Sequence, residues 1–231
     1  MTDELHLAGY REPLGLWVRK GVRIAARPGL RTHELEFASR GDRVTGRLIL
    51  PAQGGGPHPL VLAQHALGSS AADLLEEIGT SWVEAGVAVA AVDFPLHGVR
   101  ADQKLLGLLG DGHHRDPRRA ALAAEFAQQA VIDLERALDA LAATTWIDAE
   151  RIAYVGFGFG GQIGSAFCAL DPRPSAAALG VGATLAAGPD PGRYLGRIAP
   201  RPVLRVEQPP AAAAGVIWDF LARVLPGLRA R

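Results

Sequence analysis

Residues 152–164 read IAYVGFGFGGQIG and contain the pattern that decides the fold. The segment opens with a short apolar run, which is typical of a strand buried on both faces. Glycines then occupy positions 156, 158, 160, 161 and 164, and such a cluster favours a tight turn and close packing of the backbone. The segment therefore predicts a buried strand, a sharp turn at Gly158 and a helix that begins directly after it.

The same alternation of apolar strand and helix continues on both sides of this segment. Buried strands are predicted at residues 60–66, 87–94, 152–157, 176–181 and 202–206, and helices at residues 71–84, 118–143, 158–170 and 216–224. Residues 33–39 and 44–50 alternate like the arms of a hairpin, and residues 95–116 read as a polar loop. This order predicts an α/β fold with a mostly parallel central sheet, an antiparallel hairpin at its start and helices on both faces.

The chain length suits one domain, predicted over residues 1–231. Residues 1–31 form an N-terminal extension whose structure the pattern leaves open, because residues 14–18 (LGLWV) fit either a short helix or an apolar strap. If the seventh strand of such a sheet is its edge, either the final helix covers it or a second copy of the chain pairs with it, and a homodimer is the prediction that follows from pairing.

Composition excludes several classes of partner. The chain has 24 basic and 24 acidic residues, which predicts no affinity for nucleic acid or an anionic membrane. A single cysteine, an acidic start and no long apolar run indicate a cytoplasmic protein. His113 and His114, with Asp111 and Asp116, faintly resemble a metal site, but a solvated loop explains them better, and no metal or cofactor is predicted.

Two motifs fit the turn and imply different chemistry. The first is the nucleophile elbow Gly-x-Ser-x-Gly with Gly158 in place of the serine. The second is the dinucleotide fingerprint Gly-x-Gly-x-x-Gly, matched by Gly156, Gly158 and Gly161. That fingerprint also requires an acidic residue at the end of the next strand, and residues 176–183 contain none. Dinucleotide binding is therefore kept as an alternative, ranked below the elbow.

The surrounding sequence supports the elbow. Gln64, His65 and Ala66 follow the first parallel strand, residues 93–100 (DFPLHGVR) follow the next strand, and residues 133–141 and 147–152 lead into the turn. In this order and spacing they resemble the α/β-hydrolase superfamily, particularly its dienelactone-hydrolase-like and acyl-peptidase-like branches. The resemblance runs from about residue 32 to residue 206.

The resemblance implies a catalytic triad in the order serine, acid, histidine, and each member is missing here. Gly158 has no hydroxyl, and Glu207 is the only carboxylate near the expected acid position but comes too early. No histidine occurs after His114, and residues 211–214 lead directly into the final helix, so the eighth strand is expected to be missing. We also expect glycine to occupy this sharp turn without the backbone strain that a serine would bear, because glycine has no Cβ. Ordinary serine-esterase chemistry is therefore expected to be absent.

The resemblance implies that a binding pocket can survive this loss. Its oxyanion hole would consist of the N–H of Phe159 and one from Ala66 or Leu67, assisted by the partial positive charge of the helix N-terminus. The pocket would also be lined by His65, His97 and the side chain of Phe159. Alternatively, His97 forms a hydrogen bond with the backbone and holds its own loop. These residues predict a non-catalytic domain that binds a protein partner or a small ligand bearing a carbonyl or carboxylate. The alternative is an esterase-like hydrolase using water activated by His65 or His97.

The remaining candidates are given structural roles. Ser69 and Ser70 suit the cap of the helix that follows them. Buried packing is predicted for Phe157, Cys168, Trp146 and Trp218.

Overall fold

The strands of this protein form one eight-stranded mixed sheet, seen in a computed structural model that describes residues 12–23, 30–52, 56–110, 116–182, 188–226 and 228. The strands are β1 (Trp17–Arg23), β2 (Arg31–Ser39), β3 (Asp42–Leu50), β4 (His58–Gln64), β5 (Ala88–Val92), β6 (Ile147–Phe157), β7 (Pro174–Gly180) and β8 (Val203–Arg205). Their order across the sheet is β1-β2-β3-β5-β4-β6-β7-β8. Strands β1, β2, β3 and β5 pair antiparallel in turn, and the neighbours from β5 to β8 are parallel.

Helices cover both faces of this sheet, as the alternation of apolar strands and helices predicts. They are α1 (Ala71–Leu74), α2 (Thr80–Glu84), α3 (Gln103–Gly110), α4 (Pro117–Ala142), α5 (Phe159–Leu170), α6 (Pro191–Ile198) and α7 (Pro210–Val224). A π-helical turn, Leu75–Gly79, joins α1 to α2, and a 3-10 turn, Gly98–Arg100, follows β5. The predicted mostly parallel α/β-hydrolase fold is confirmed.

The continuous apolar strands are explained by two cores, one on each face. In β4, Leu60 and Leu62 join the core beneath α4 and α5, whereas Val61 and Ala63 join the core beneath α1, α2 and α7. Successive side chains of a strand point to opposite faces, so a strand covered on both sides must be apolar throughout. This arrangement places the carboxyl ends of β4, β5 and β6 side by side at one edge.

The N-terminal segment that the sequence pattern left open contains an edge strand. Trp17 of β1 pairs with Glu36 of β2, so this part of the chain extends the sheet.

Two other segments differ from the prediction. The region predicted as a loop over residues 95–116 includes helix α3, and helix α6 was not predicted. Both begin at recognisable caps: Asp102 accepts from Leu105 N at 3.1 Å, and Asp190 accepts from Gly192 N at 2.9 Å.

At the opposite edge, β8 is the last strand in the described part of the chain. It has only three residues, and α7 begins at Pro210, five positions after β8 ends. The sheet has eight strands because β1 is added at the other edge. Strand β8 corresponds to the seventh strand of the hydrolases that the sequence resembles, and no described strand follows it. Pairing of two copies along β8 remains a prediction. Within the described residues, no helix is both long and apolar enough to cross a bilayer.

Candidate functional site

The turn at Gly158 has the geometry of an elbow. Its backbone angles are φ 54° and ψ −113°, a conformation that residues with a Cβ rarely adopt. Gly158 N donates to Gly180 O of β7 at 2.6 Å, and Gly158 O accepts from Gln162 N of α5 at 2.9 Å. Bonds to β7 and α5 therefore hold the bend, and glycine occupies it without the strain that a Cβ would bring.

The neighbouring glycines are explained by contacts between backbones. A Cβ on Gly156 would lie 2.3 Å from Gly160 O, one on Gly160 would lie 2.5 Å from Gln64 O, and one on Gly161 would lie 2.3 Å from Gly180 O. Any larger residue at these positions would force the strand and the helix apart. Close packing between β6, β4, β7 and α5 thus accounts for the glycine pattern without a bound dinucleotide.

Two loops meet beside the bend where an oxyanion hole is expected. Gly160 N donates to His65 O at 3.0 Å, which holds the loop after β4 against the first turn of α5. Phe159 is the first residue of α5, and N–H groups at such a position have no partner within the helix. Gly158, Ala66 and Leu67 are partly exposed there. The N–H groups of this backbone can donate hydrogen bonds to a carbonyl or carboxylate oxygen. Their use as a ligand pocket remains a prediction.

His65 is fully buried beside this pocket, and both of its ring nitrogens are occupied. Nδ1 lies 2.8 Å from Ala66 O, a group that can only accept, so Nδ1 carries the proton. Nε2 accepts from Phe94 N at 3.2 Å. Burial lowers the pKa of His65 to about 4, so the ring is neutral near pH 7. The hypothesis that His65 activates water is wrong, because it has no free lone pair.

His97 has the backbone bond that the sequence predicts and one unused nitrogen. Its Nδ1 lies 2.8 Å from Pro95 O, which holds the loop after β5. Within the described residues, Nε2 of this buried ring has no hydrogen-bond partner. Burial also lowers the pKa of His97, so Nε2 is a neutral acceptor. The ring stacks near Phe159, with 6.1 Å between the ring centroids.

The side chain of Phe159 points into the core. It is 2% exposed, and its ring lies edge-on to Phe94 with 5.1 Å between centroids. The expectation that this side chain faces the pocket is wrong; only its backbone N–H is placed for the site. Phe157 is buried in the other core, as predicted. Cys168 and Trp218 are also buried, whereas Trp146 is half-buried and stacks on His33.

A network that the sequence analysis missed holds the loop that carries His97. The Asp93 carboxylate accepts from Ala71 N at 3.0 Å and from Val99 N at 3.2 Å. Arg100 donates to Asp93 O at 2.9 Å and to the buried Asp133 of α4 at 2.7 Å. The segment DFPLHGVR contains both Asp93 and Arg100, but their partners lie far away in the chain. Ser70 caps α1 by accepting from Asp73 N, as predicted.

The absence of a triad acid and histidine after β7 and β8 remains a prediction. Glu207 follows β8 and is exposed. The sequence contains no histidine beyond His114. Helix α7 packs against the turn after α1, with Trp82 Nε1 donating to Ala214 O at 3.3 Å. In the described part of the chain, no group of three His, Cys, Asp or Glu side chains can hold a metal; His113 and His114 lie outside it.

The strand order and the elbow together define the class of protein: an α/β-hydrolase fold related to dienelactone hydrolases and esterases. Residues 25–182 match the family model described as Acetyl xylan esterase (AXE1), which is more than half of the chain. The chain therefore belongs to the acetyl xylan esterase family, a family of carboxylic ester hydrolases. The match ends before β8 and α7. No curated protein matches the chain.

Solved structures support the fold at low sequence identity. An acetyl xylan esterase from Paenibacillus sp. R4 is 17% identical, with a TM-score of 0.65 over 93% of this chain and 90% of that one. A cold-adapted esterase from an Arctic intertidal metagenomic library is 20% identical, with a TM-score of 0.62 over 86% and 96%. A candidate dienelactone hydrolase from Klebsiella pneumoniae is 15% identical, with a TM-score of 0.60 over 84% and 98%.

Proposed function

We propose that this chain recognises a carboxylic ester, or the acid released from one, at the Gly158 bend without forming an acyl-enzyme. Membership of an ester hydrolase family supports the class of ligand. The missing hydroxyl at Gly158 supports the absence of a covalent step, because acyl transfer to the protein needs a nucleophilic atom at the bend. One observation carries the proposal: the backbone at position 158 has the elbow conformation, with φ 54°, and the residue there is glycine.

The backbone at the bend favours binding of an acyl group. The N–H of Phe159 and the loop of Ala66 and Leu67 would hold the carbonyl oxygen of an ester, and the bond from Gly160 N to His65 O, which keeps this loop against α5, supports that role. Hydrogen bonds from preorganised N–H groups stabilise an oxygen that carries negative charge, and a carboxylate satisfies the same donors. A hydrolase that loses its triad keeps roughly 10³–10⁴-fold acceleration over water from binding and the oxyanion hole, which is small for an enzyme. Binding of the ligand therefore does not depend on a serine at the bend.

A second candidate function is slow ester hydrolysis by water, and the unused Nε2 of His97 favours it. Nε2 would accept a proton from water while the oxygen of that water attacks the ester carbonyl. The tetrahedral oxyanion would be held by the N–H of Phe159, and the proton on Nε2 would pass to the departing alkoxide. The lowered pKa of His97 keeps its ring neutral near pH 7, as a proton acceptor must be.

Mass spectrometry and kinetics with short aryl acetates test both functions. We expect no acetyl adduct on the intact chain, and we expect acetate to raise the unfolding temperature, since a ligand of the native state stabilises it. Gly158→Val fills the bend and should abolish the acetate effect. A stable acetyl adduct on the wild type would disprove the first function.

The His97→Gln variant separates the two functions. If water is activated at Nε2, ester turnover should fall at least tenfold in this variant while the acetate effect remains. Equal turnover in the variant and the wild type would exclude His97 as the base. Asp219→Asn offers a control at an exposed polar side chain of α7, outside the bend and outside the network around Arg100.

A further inference from the structure

A cleft of about 480 Å³ separates helix α4 from the turn between α5 and β7. One wall includes Glu135 and Asp139 of α4, and residues 170–173 form the other wall. Helix α5 begins at Phe159 beside the Gly158 bend and ends in this cleft, so the two places are about 16 Å apart along the helix. We propose that Glu135 is a proton-controlled latch, whose neutral form keeps residues 170–173 against α4 and whose ionised form releases them.

Arg173 joins the two walls of the cleft. Its Nη1 donates to Asp139 at 2.7 Å and its Nη2 donates to Glu135 O at 3.0 Å, and both acceptors belong to α4. Its Nε donates to the Asp171 carboxylate, at 3.0 Å to Oδ1 and at 2.9 Å to Oδ2. The same carboxylate accepts from Arg173 N at 2.9 Å, which fixes the turn. The position of residues 170–173 therefore depends on how one guanidinium is shared among carboxylates.

The carboxylate of Glu135 has no such cation. It lies one turn of α4 from Asp139, so two like charges share one side of the helix. The adjacent Arg136 is engaged elsewhere, because its guanidinium donates to Glu12 O at 2.6 Å and to Ala38 O at 3.4 Å. Arg136 also donates to Asp139 at 3.5 Å. Within the described residues, the Glu135 side chain forms no ion pair. An ionised Glu135 would therefore be a third negative charge around a single guanidinium.

The groups that face Glu135 favour its neutral form. They are Asp139 and Arg136 from α4, and Asp171 and Arg173 from the opposite wall. Burial and the charge of Asp171 raise the pKa of Glu135 from 4.5 to about 7. Asp139 also raises this pKa, and Arg173 opposes the rise. Glu135 therefore changes its charge near neutral pH, where an exposed glutamate is already ionised.

The direction of the pH response follows from the raised pKa. When residues 170–173 move away from α4, water reaches Glu135 and its pKa returns towards 4.5. The latch is therefore at full strength below pH 4.5 and is lost as pH rises through 7, because ionisation favours the open form. The equilibrium constant for opening should rise roughly 25-fold between pH 5.5 and pH 8.

Amide hydrogen exchange of the full chain, followed by NMR at pH 5.5 and pH 8 and corrected for the intrinsic exchange rate, tests the latch. The reporters are Asp171 N, which donates to Phe167 O at 2.8 Å, and Arg173 N. Their protection should fall about 25-fold between the two pH values in the wild type. In Glu135→Gln, which cannot ionise, the change should be less than about threefold.

Glu125→Gln is the matched control, because it makes the same substitution on the exposed side of α4. Glu125 pairs with Arg40 at 2.9 Å, outside the cleft, so this variant should keep the response of the wild type. The side-chain ¹³C shift of Glu135 in the wild type gives a second measurement that needs no variant, and it should titrate near pH 7.

Three results would overturn the proposal. The first is a Glu135 titration midpoint below about pH 5.5, the range of an ordinary glutamate. The second is an equal pH response of the reporter amides in Glu135→Gln and the wild type, which would assign the response to Asp139 or Asp171. The third is titration of Glu135 near pH 7 without any change in the protection of Asp171 N and Arg173 N, because the charge would then move nothing.

Discussion

The loops at the two halves of the sheet's carboxyl edge differ in how closely they follow the pattern of a hydrolase site. After β4, β5 and β6, the loops retain the elbow at Gly158, the contact between Gly160 N and His65 O, and the network around Arg100. After β7 and β8, by contrast, Glu207 is exposed, and the sequence contains no histidine beyond His114. The match to the acetyl xylan esterase family also ends at residue 182, between these halves.

The difference shows which features of an active site also support the fold. The first half is built from backbone hydrogen bonds and glycine contacts that pack β6 and α5 against β4 and β7. Removing them would disturb the core whether or not the protein catalyses a reaction. The acid and histidine of a triad serve chemistry on loops, where changes cost little stability. The backbone of the elbow can therefore be kept whether or not a triad acid and histidine accompany it.

The largest effect is expected from the buried ion pair in the first half. Arg100→Ala leaves Asp133 as a buried carboxylate without its cation, which should lower the free energy of unfolding by about 3–5 kcal/mol. Urea denaturation measures this change. Arg19→Ala removes an exposed arginine from its pair with Glu34 and should cost less than about 1 kcal/mol. Similar losses in both variants would contradict the structural role of Arg100.

His65 should make stability depend on pH. Its pKa falls from 6.5 in the unfolded chain to about 4 in the fold, so the folded state favours the neutral ring. The stability from this group is complete above pH 6.5 and is lost as pH falls towards 4, by about 3 kcal/mol in total. Urea denaturation across this range should show a shallower pH dependence for His65→Gln than for the wild type. Parallel curves would mean that His65 does not titrate as stated.

The close contact at Gly160 should also be costly to fill. In Gly160→Ala the added Cβ would lie 2.5 Å from Gln64 O, a backbone atom, and overpacking of this kind costs about 1–3 kcal/mol. Gly107→Ala is the matched control in α3, where a Cβ meets nothing within 4 Å, and it should be neutral or stabilising by up to about 1 kcal/mol. Thermal unfolding distinguishes the two. Equal melting temperatures would show that the loops at the elbow can separate easily.

Restoring the hydroxyl at the bend tests whether the second half is needed. Gly158→Ser places a Cβ at φ 54° and should lower stability by about 1–2 kcal/mol. Without a histidine after His114 to complete a triad, the serine should give no burst of aryl acetate hydrolysis above that of Gly158→Ala. A burst in the serine variant alone would mean that a base is already present near the bend.

The smallest effect is expected in the second half. Glu207 is exposed after β8, so Glu207→Gln should change the free energy of unfolding by less than about 0.5 kcal/mol. It should also leave any ester turnover unchanged. A tenfold fall in turnover would identify Glu207 as part of a working site and would remove the contrast between the two halves.

The fold was predictable because its signals are local and repeated. Apolar strands such as residues 60–66, the glycine-rich turn at 158 and the long helix α4 appear in the structure close to their predicted places. Two elements were less predictable. The internal Gly107 weakens the helical signal of α3, and the exposed Trp17 of β1 does not fit the pattern of a buried strand. The site was predictable at the backbone of Gly158 and Phe159 but not in the roles of His65 and Arg100.

From the amino-acid order alone, the class of fold, the elbow and the glycine at its bend follow, because strand burial, glycine spacing and residue identity are local properties of the chain. Only the folded molecule decides that Gly158 keeps its bend, that His65 has no free nitrogen while His97 has one, and that Glu135 shares a cleft with Asp171. The reason is that each of these depends on partners far apart in the chain, such as Gly180 for the bend and Phe94 for His65.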